Sequence, residues 1–186
     1  NICAAPDVNA ICRDNDFTSP DNYIRACYTD IPALFSERGL NINTFPYLSA
    51  ANSMEYPPVT GLFAWAISFI TPNSSNVLYF DLNILFLIMM YFISALILKA
   101  LAPKYLYLFL ASPAVIASLF INWDLIAVAS ALLTVYFFEK KKYEESAISL
   151  GVSIATKFFP IVMLLPIAII FYRRKQIKQL SRYLFT

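Results

Sequence analysis

The sequence predicts an all-α protein: a polytopic bundle of transmembrane helices with a long outer loop that carries short amphipathic helices. Three observations predict this fold class. Of the 186 residues, 59% are hydrophobic and 14% are charged, whereas a soluble domain has about 25% charged residues. Long apolar stretches alternate with basic clusters. All three cysteines and seven of the twelve acids lie within residues 1–57. A free-standing soluble enzyme and a disordered chain are both disfavoured.

The composition also excludes several kinds of site. The chain has no histidine, which removes histidine metal sites, Ser-His-Asp triads and Cys-His dyads. Its three cysteines are too few for an all-cysteine zinc site. The net charge of +2 is too small to indicate a nucleic-acid partner. We therefore expect neither a metal site nor nucleic-acid binding.

The charge distribution divides the chain at Tyr56-Pro57-Pro58. Residues 1–57 hold seven acids and three bases, and residues 58–186 hold five acids and eleven bases. The predicted organisation is an extracytoplasmic loop over residues 1–57, followed by transmembrane helices over residues 58–186. No signal peptide is recognisable. We expect the chain to be a piece of a longer protein, with one helix before Asn1 and more after Thr186.

The outer loop contains a short predicted helix. Pro32 suits the first turn, Thr29 or Asp30 suits the N-cap, and Gly39 suits the end of the helix. Its apolar residues would share one face that lies on the outer leaflet; they are Ile31, Leu34 and Phe35. Seen in this window alone, capping explains Asp30 better than a chemical role does.

Six apolar stretches follow: Val59–Thr71, Val77–Leu98, Tyr105–Ile121, Leu125–Phe138, Ser146–Thr156 and Phe158–Tyr172. A membrane crossing takes about 20 apolar residues, so Val77–Leu98 is long enough and Tyr105–Ile121 nearly so. The basic clusters should face the cytoplasm. In that arrangement Val59–Thr71 dips in without crossing, and Ser146–Tyr172 enters and returns near Lys157. The alternative has every stretch crossing once.

Three ionisable residues stand within or beside these stretches. Lys157 interrupts an apolar run just before Pro160, and a charge at that depth usually faces protein or a water-filled cavity. It could also extend to the headgroup region. Asp124 could line a pocket or simply cap Leu125–Phe138. Asp81 is best explained by an interfacial position.

Several ordered blocks carry a resemblance to a known family. They are Cys27-Tyr28-Thr29-Asp30-Ile31-Pro32, Arg38-Gly39-Leu40, Phe45-Pro46-Tyr47, Glu55-Tyr56-Pro57-Pro58-Val59-Thr60-Gly61, Asn122-Trp123-Asp124-Leu125 and Ala155-Thr156-Lys157-Phe158-Phe159-Pro160. Together they resemble the family-87-like glycosyltransferases of the GT-C superfamily, whose mannosyltransferase members use polyprenyl-phosphate sugars. The blocks keep the family's order from about Cys12 to Arg174.

The resemblance implies a function and a set of site residues. Asp30 matches the catalytic acid of the first outer loop, where a carboxylate accepts the acceptor's proton. Lys157 would hold the donor phosphate, with Arg25 and Arg38 as alternatives. Further substrate-binding candidates are Glu55, which could instead cap the next helix, and Asn122 and Asp124. The implied donor is a polyprenyl-phosphate sugar, mannose above all, without a separate cofactor, and the implied acceptor is a lipid or a glycan.

These expectations describe a multi-pass membrane protein in contact with membrane lipid, in the cytoplasmic membrane of a prokaryote and serving its cell envelope. If it is a fragment, we expect it to be inactive alone. The alternatives are a transporter segment, favoured by Lys157 and Asp81 in apolar runs, and a non-catalytic scaffold. A disulfide between Cys12 and Cys27 would brace the loop ahead of Asp30 and suits an oxidising face, although Cys3 leaves other pairings open.

Overall fold

A computed structural model describes residues 29–48, 53–72 and 75–186, and these residues form helices and turns without a strand. The first helices are α1 (Asp30–Glu37), α2 (Pro58–Phe69) and α3 (Asn76–Leu101). The later ones are α4 (Leu106–Leu110), α5 (Pro113–Ser118), α6 (Asp124–Glu139), α7 (Tyr143–Thr156), α8 (Leu164–Arg173) and α9 (Ile177–Phe185). Short 3₁₀ turns cover Leu40–Ile42, Pro103–Tyr105 and Phe159–Met163. The all-α prediction is confirmed for the described residues.

Helix α3 is the one element, within the part of the chain that the structure describes, that is long and apolar enough to cross a membrane. Its 26 residues extend about 39 Å at about 1.5 Å per residue, more than the ~30 Å hydrocarbon core. One side of α3 exposes a row of large apolar side chains, namely Leu85, Met89, Phe92 and Leu96. The prediction of a polytopic bundle stays a prediction.

The expected near-spanning stretch Tyr105–Ile121 is not one helix. It is divided into α4 and α5, with a break at Ala111 and Ser112. Pro113 explains the break, because proline lacks an amide hydrogen and disfavours helical geometry in the residue before it. Ser112 then caps α5 by accepting a hydrogen bond from the Val115 amide at 3.4 Å. The stretch Tyr105–Ile121 is apolar throughout, so its hydropathy did not reveal the helix boundary that Pro113 imposes.

Helix α2 keeps both of its ends near the segment that follows α1. At its start, Gly61 lies against the ring of Tyr47. At its end, the Ser68 hydroxyl donates to the Asn43 side-chain oxygen at 3.0 Å. Tyr47 and Asn43 both follow α1 closely in the chain, so α2 does not travel to the far end of α3. This path is the one expected if Val59–Thr71 does not cross.

Helices α6 and α7 form an antiparallel hairpin. The Ser146 hydroxyl donates to the Thr134 carbonyl at 2.9 Å, and the Ser153 hydroxyl donates to the Ala127 carbonyl at 2.7 Å. These small side chains let the two backbones approach closely, as is typical of helix contacts in membranes. Asp124 and Lys157 therefore lie at the same end of the hairpin.

The chain reverses again at Lys157. This residue ends α7 with an extended backbone (φ −151°, ψ 136°), and α8 then runs back along the hairpin. The rings of Tyr143, at the start of α7, and Phe171, near the end of α8, have centroids 5.0 Å apart. The predicted path of Ser146–Tyr172, inward and back with a turn near Lys157, matches this chain trace.

The apolar face of α1 packs on protein rather than lying free for a lipid leaflet. Ile31 is completely buried, and the ring of Phe35 stacks on that of Tyr79 in α3 with centroids 4.0 Å apart. The sequence identified the apolar face correctly but assigned it the wrong partner. Hydrophobic periodicity reports which side is apolar, and an aromatic ring of α3 competes with lipid for that side.

The two ends of the molecule carry opposite charge. Asp30, Glu37 and Glu55 lie with the start of α6, whereas the turns after α6 and α8 carry basic clusters. The separation of acidic from basic residues is the one expected from the sequence, and the side of a membrane that each end faces stays a prediction. The boundary drawn at residues 57 and 58 coincides with the start of α2, and the division into a loop and a membrane part stays a prediction.

Candidate active site

The N-terminus of α1 is fixed to the segment that precedes α6. The Thr29 hydroxyl donates to the Phe120 carbonyl at 2.7 Å and accepts from the Ile31 amide at 3.4 Å. The Asp30 amide donates to the Ile121 carbonyl at 2.8 Å. Thr29 is therefore the N-cap, and Asp30 is the first residue of α1. The capping explanation for Asp30 is excluded, and its carboxylate is available for other contacts.

Tyr56 joins Asp30 to the core. Its hydroxyl donates a hydrogen bond to the Asp30 carboxylate, and its ring meets the indole of Trp123 edge-on at 5.6 Å between centroids. Trp123 is itself buried, and its N–H donates to the Asn83 side-chain oxygen of α3 at 2.7 Å. Tyr56 thus joins Asp30 to Trp123, which α3 holds in turn through Asn83.

Lys157 extends its side chain towards the same place. Its Nζ lies 2.5 Å from Oδ1 of Asp124 and 4.7 Å from the centroid of the Tyr56 ring. The pair is partly open to water, with 29% of the lysine side chain and 45% of the aspartate side chain exposed. Such an exposed pair contributes little to folding stability. The pair keeps the Lys157 ammonium at a defined position beside apolar side chains.

Asp124 is not the cap of α6. Trp123 occupies the N-cap position and gives no side-chain hydrogen bond. The side chain of Asn122 accepts from the Asp124 amide at 3.0 Å and so organises the start of the helix. Asn122 thereby has a structural contact of its own, whereas the Asp124 carboxylate is directed to Lys157.

A second ion pair, between Arg38 and Glu55, stands across from the first. Arg38 ends α1, and Glu55 precedes the paired prolines that begin α2. The capping role considered for Glu55 is excluded, since Pro57 is the N-cap of α2 without any side-chain bond. The pair closes one wall of the site.

These groups line an open cleft of about 530 Å³. Its charged and polar lining includes Asp30, Arg38, Glu55, Tyr56 and Lys157. Phe158 and Phe159 form an apolar wall beside Lys157 and are 70% and 54% exposed. Three carboxylates (Asp30, Glu37 and Glu55), two cations and an exposed apolar wall therefore share one cavity. That combination suits a substrate with a phosphate and a lipid chain.

The structure brings together five of the predicted site residues and leaves Asn122 outside the lining of the cleft. Asp30, Lys157, Arg38 and Glu55 line the cleft, and Asp124 contacts it through Lys157. Arg25 and the cysteines Cys12 and Cys27 lie outside the described residues. Within the described ranges, no three aspartate, glutamate or cysteine side chains group closely enough to hold a metal ion. Metal independence stays a prediction.

Sequence reasoning missed Tyr56 as a site residue. It stands inside the Glu55-Tyr56-Pro57-Pro58 block, where the acid drew attention and the tyrosine did not. The local signal was slight, because Pro57 restricts the backbone of Tyr56 but does not fix the orientation of its ring. Its contact with Asp30 depends on a tertiary arrangement that no local pattern encodes.

Comparison with known proteins gives one match. Residues 117–184 match the family described as mannosyltransferase (PIG-M). This segment contains Asp124 and Lys157, and it runs from α5 into α9. The match supports a glycosyltransferase that transfers mannose. No curated protein and no solved structure matches the chain.

Proposed function

We propose that the protein is an integral-membrane mannosyltransferase of the GT-C type, similar to family 87. It takes mannose from a polyprenyl-phosphate donor and transfers it to a lipid or glycan acceptor on the extracytoplasmic face. One observation supports this proposal most: the segment similar to mannosyltransferases supplies Lys157 and Asp124 to the cleft that Asp30 enters from the outer loop.

In the proposed reaction Asp30 is the general base. As the acceptor hydroxyl attacks the anomeric carbon of mannose, its proton passes to the Asp30 carboxylate. The bond between the anomeric carbon and the phosphate oxygen breaks, and polyprenyl phosphate leaves with the electron pair. Tyr56 holds the carboxylate in place by its hydrogen bond. The donor itself carries the reactive bond, so no separate cofactor takes part.

Lys157 is the proposed partner of the departing phosphate. Negative charge grows on the phosphate oxygen as the bond breaks, and a fixed cation lowers the energy of that state. In the free protein Asp124 holds the Lys157 ammonium at the cleft. When the donor binds, its phosphate provides a second anion for the same lysine.

The opposite wall of the cleft is proposed to position the acceptor. Arg38 and Glu55 already pair with each other there, which orients both side chains. Hydroxyl groups of a sugar or lipid headgroup form hydrogen bonds with both types of group. The exposed rings of Phe158 and Phe159, beside Lys157, are placed to contact the first isoprene units of the donor.

Mannose transfer in membranes from cells that express the protein tests this proposal. The assay follows radiolabelled mannose from polyprenyl-phosphate mannose into a lipid or glycan acceptor, for the wild type and for Asp30→Asn. We expect the substitution to lower the rate at least 10²-fold, the lower range for removal of a general base. Glu139→Gln neutralises an acid at the other end of α6 and should keep the wild-type rate.

Three outcomes would contradict the proposal. Transfer by Asp30→Asn at the wild-type rate, with equal protein in the membrane, would remove Asp30 from the reaction. Movement of a solute across vesicles by the wild type, without any mannose transfer, would favour the transporter alternative. Unchanged function when Asp30, Asp124 and Lys157 are replaced together would favour the scaffold alternative.

A further inference from the structure

The end of the molecule opposite Asp30 has a surface of high positive charge. Eight exposed bases stand on the turn between α6 and α7, the turn between α8 and α9, and α9 itself: Lys140, Lys141, Lys142, Arg173, Arg174, Lys175, Lys178 and Arg182. We call these eight residues the basic turn surface. Three acids are near them in the chain, namely Glu139, Glu144 and Glu145. Positive charge is therefore in excess.

Packing of aromatic rings brings the two turns side by side. Beyond the contact between Tyr143 and Phe171, the ring centroids of Phe138 and Tyr183 are 6.3 Å apart. The hydroxyls of Tyr183 and Ser146 are hydrogen-bonded at 3.0 Å, and burial raises the pKa of the Tyr183 hydroxyl. The bases of both turns thus belong to one surface.

Each turn places a lysine in the left-handed backbone region. The φ angles are 59° for Lys141 and 53° for Lys175. Both turns close their helices with the same bond pattern: the Lys142 amide donates to the Phe137 carbonyl, and the Gln176 amide to the Phe171 carbonyl, each at 2.9 Å. Glycine is the usual residue at this position, since any Cβ is disfavoured there. Folding stability alone therefore does not explain why both turns have a lysine at this position.

Part of the charge on this surface lacks a carboxylate partner. Lys142 pairs with Glu145 and Arg182 with Glu144, both at 3.7 Å. Among the described residues, no carboxylate lies within ion-pair distance of Lys141 or Lys175. The two left-handed lysines are therefore free to meet an external anion.

Apolar side chains stand among these bases. Tyr172 is 73% exposed beside Arg173, and Ile177 is 53% exposed beside Lys178. A cleft of about 260 Å³ lies between the turn after α6, the start of α7 and helix α9, and its lining includes Lys141, Arg182, Glu144 and Glu145. Lysine and arginine mixed with tyrosine and aliphatic residues are typical of the boundary between lipid headgroups and acyl chains.

We propose that the basic turn surface binds the headgroups of anionic phospholipids in the leaflet opposite the Asp30 cleft. The phosphate of the headgroup meets Lys141 and Lys175, and the side chains of Tyr172 and Ile177 enter the acyl boundary. The proposal does not depend on mannose transfer, because helix α7 separates the two sites. Its 14 residues extend about 21 Å.

Binding of a short-chain lipid to the detergent-solubilised protein tests the proposal. Dioctanoyl phosphatidylglycerol is titrated against the wild type and against Lys141→Gly/Lys175→Gly. We expect the double variant to bind about 25-fold more weakly, because each basic residue near an anionic surface contributes about fivefold. Its thermal midpoint without lipid should not fall, since glycine suits both backbone positions.

Controls separate a defined surface from net charge. Lys99→Gln/Lys104→Gln also removes two charges and should bind phosphatidylglycerol within twofold of the wild type, as should Lys141→Arg/Lys175→Arg. An equal loss in Lys99→Gln/Lys104→Gln, or equal binding of dioctanoyl phosphatidylcholine, would overturn the proposal. Binding of inorganic phosphate as tight as that of the lipid would also overturn it, since the ligand would then be a free anion.

Discussion

Tyr56 connects the parts of the cleft that come from different regions of the chain. Its hydroxyl binds Asp30, its ring lies under the Lys157 ammonium, and the edge-on contact with Trp123 fixes its plane. A phenol ring can do all three because it is rigid, apolar on its faces and polar at its tip. At the residue scale, Tyr56 and Asp124 together set the relative positions of the Asp30 carboxylate and the Lys157 ammonium.

Tyr56→Phe should slow transfer while leaving the cleft folded. The phenylalanine ring keeps the contacts with Trp123 and Lys157, but Asp30 loses the hydrogen bond that orients it. A hydrogen bond to a charged group contributes about 1.5–3 kcal/mol, so we expect kcat to fall about 10- to 150-fold with a small change in donor KM. Tyr107→Phe, at a surface tyrosine, is the matched control, and equal rates for both variants would contradict the role of Tyr56.

Local patterns in the sequence found some of these residues and not others. Asp30 was indicated only by the resemblance of its block, because an acid at the start of a helix is common. Lys157 was predictable, since a lysine inside an apolar run is unusual locally. Tyr56 was not, because tyrosine is common at membrane interfaces and its importance arises only from the side chains around it.

Among the elements, α2 owes its position to a contact between a glycine and a loop tyrosine. The Tyr47 hydroxyl donates to the carbonyls of Tyr56 and Pro57 at 2.9 and 3.0 Å, and it occupies the space where a Cβ on Gly61 would stand. Burial raises the pKa of Tyr47, which keeps this hydroxyl protonated and able to donate. The start of α2, and with it the backbone of Tyr56, is fixed in this way.

Two glycine substitutions test this contact against a matched background. A Cβ on Gly61 would lie 1.9 Å from the Tyr47 oxygen, whereas a Cβ on Gly151 meets nothing within 4 Å. Gly61→Ala should destabilise the fold by about 1–3 kcal/mol through overpacking. Gly151→Ala should stabilise helix α7 by about 0.5–1 kcal/mol. Thermal unfolding in detergent measures both, and equal midpoints for the two variants would contradict the packing described.

Element boundaries show what hydropathy alone omits. The lengths of α3 and α6 followed closely from their apolar runs, because no proline interrupts either. The apolar stretch over residues 105–121 is not one helix, because Pro113 interrupts it. The prediction that α1 lies on lipid was wrong as well, since Tyr79 of α3 covers its apolar face. Composition indicates how apolar a segment is, but its partner depends on tertiary packing.

At the scale of the whole molecule, the two functional proposals occupy opposite ends. The acidic cleft lies at the start of α3 and α6, and the basic turn surface lies where α6 ends and α9 begins. The order of the blocks along the sequence predicted this polarity, because basic clusters face the cytoplasm. The sequence did not predict which of the shorter helices cross the membrane. Helices α6 and α7 have 16 and 14 residues, and helices of that length are shorter than the ~30 Å hydrocarbon core.

Cysteine labelling tests the polarity. With the native cysteines replaced by serine, Glu37→Cys near the cleft and Lys178→Cys on the basic turn surface are treated with a membrane-impermeant maleimide in intact cells. We expect Glu37→Cys to react in intact cells and Lys178→Cys only after the membrane is permeabilised. Reaction of both before permeabilisation would place the two ends on one side.

The most direct test distinguishes the two proposed roles in the cleft, that of Asp30 as general base and that of Lys157 as partner of the donor phosphate. Donor affinity and transfer rate are measured together, with polyprenyl-phosphate mannose, for Asp30→Asn and Lys157→Gln. We expect Asp30→Asn to keep donor affinity within about threefold and to lose transfer at least 10²-fold. We expect Lys157→Gln to weaken donor binding about tenfold or more, the loss of one charge-assisted hydrogen bond. Wild-type donor affinity and wild-type transfer in both variants would contradict these roles of Asp30 and Lys157.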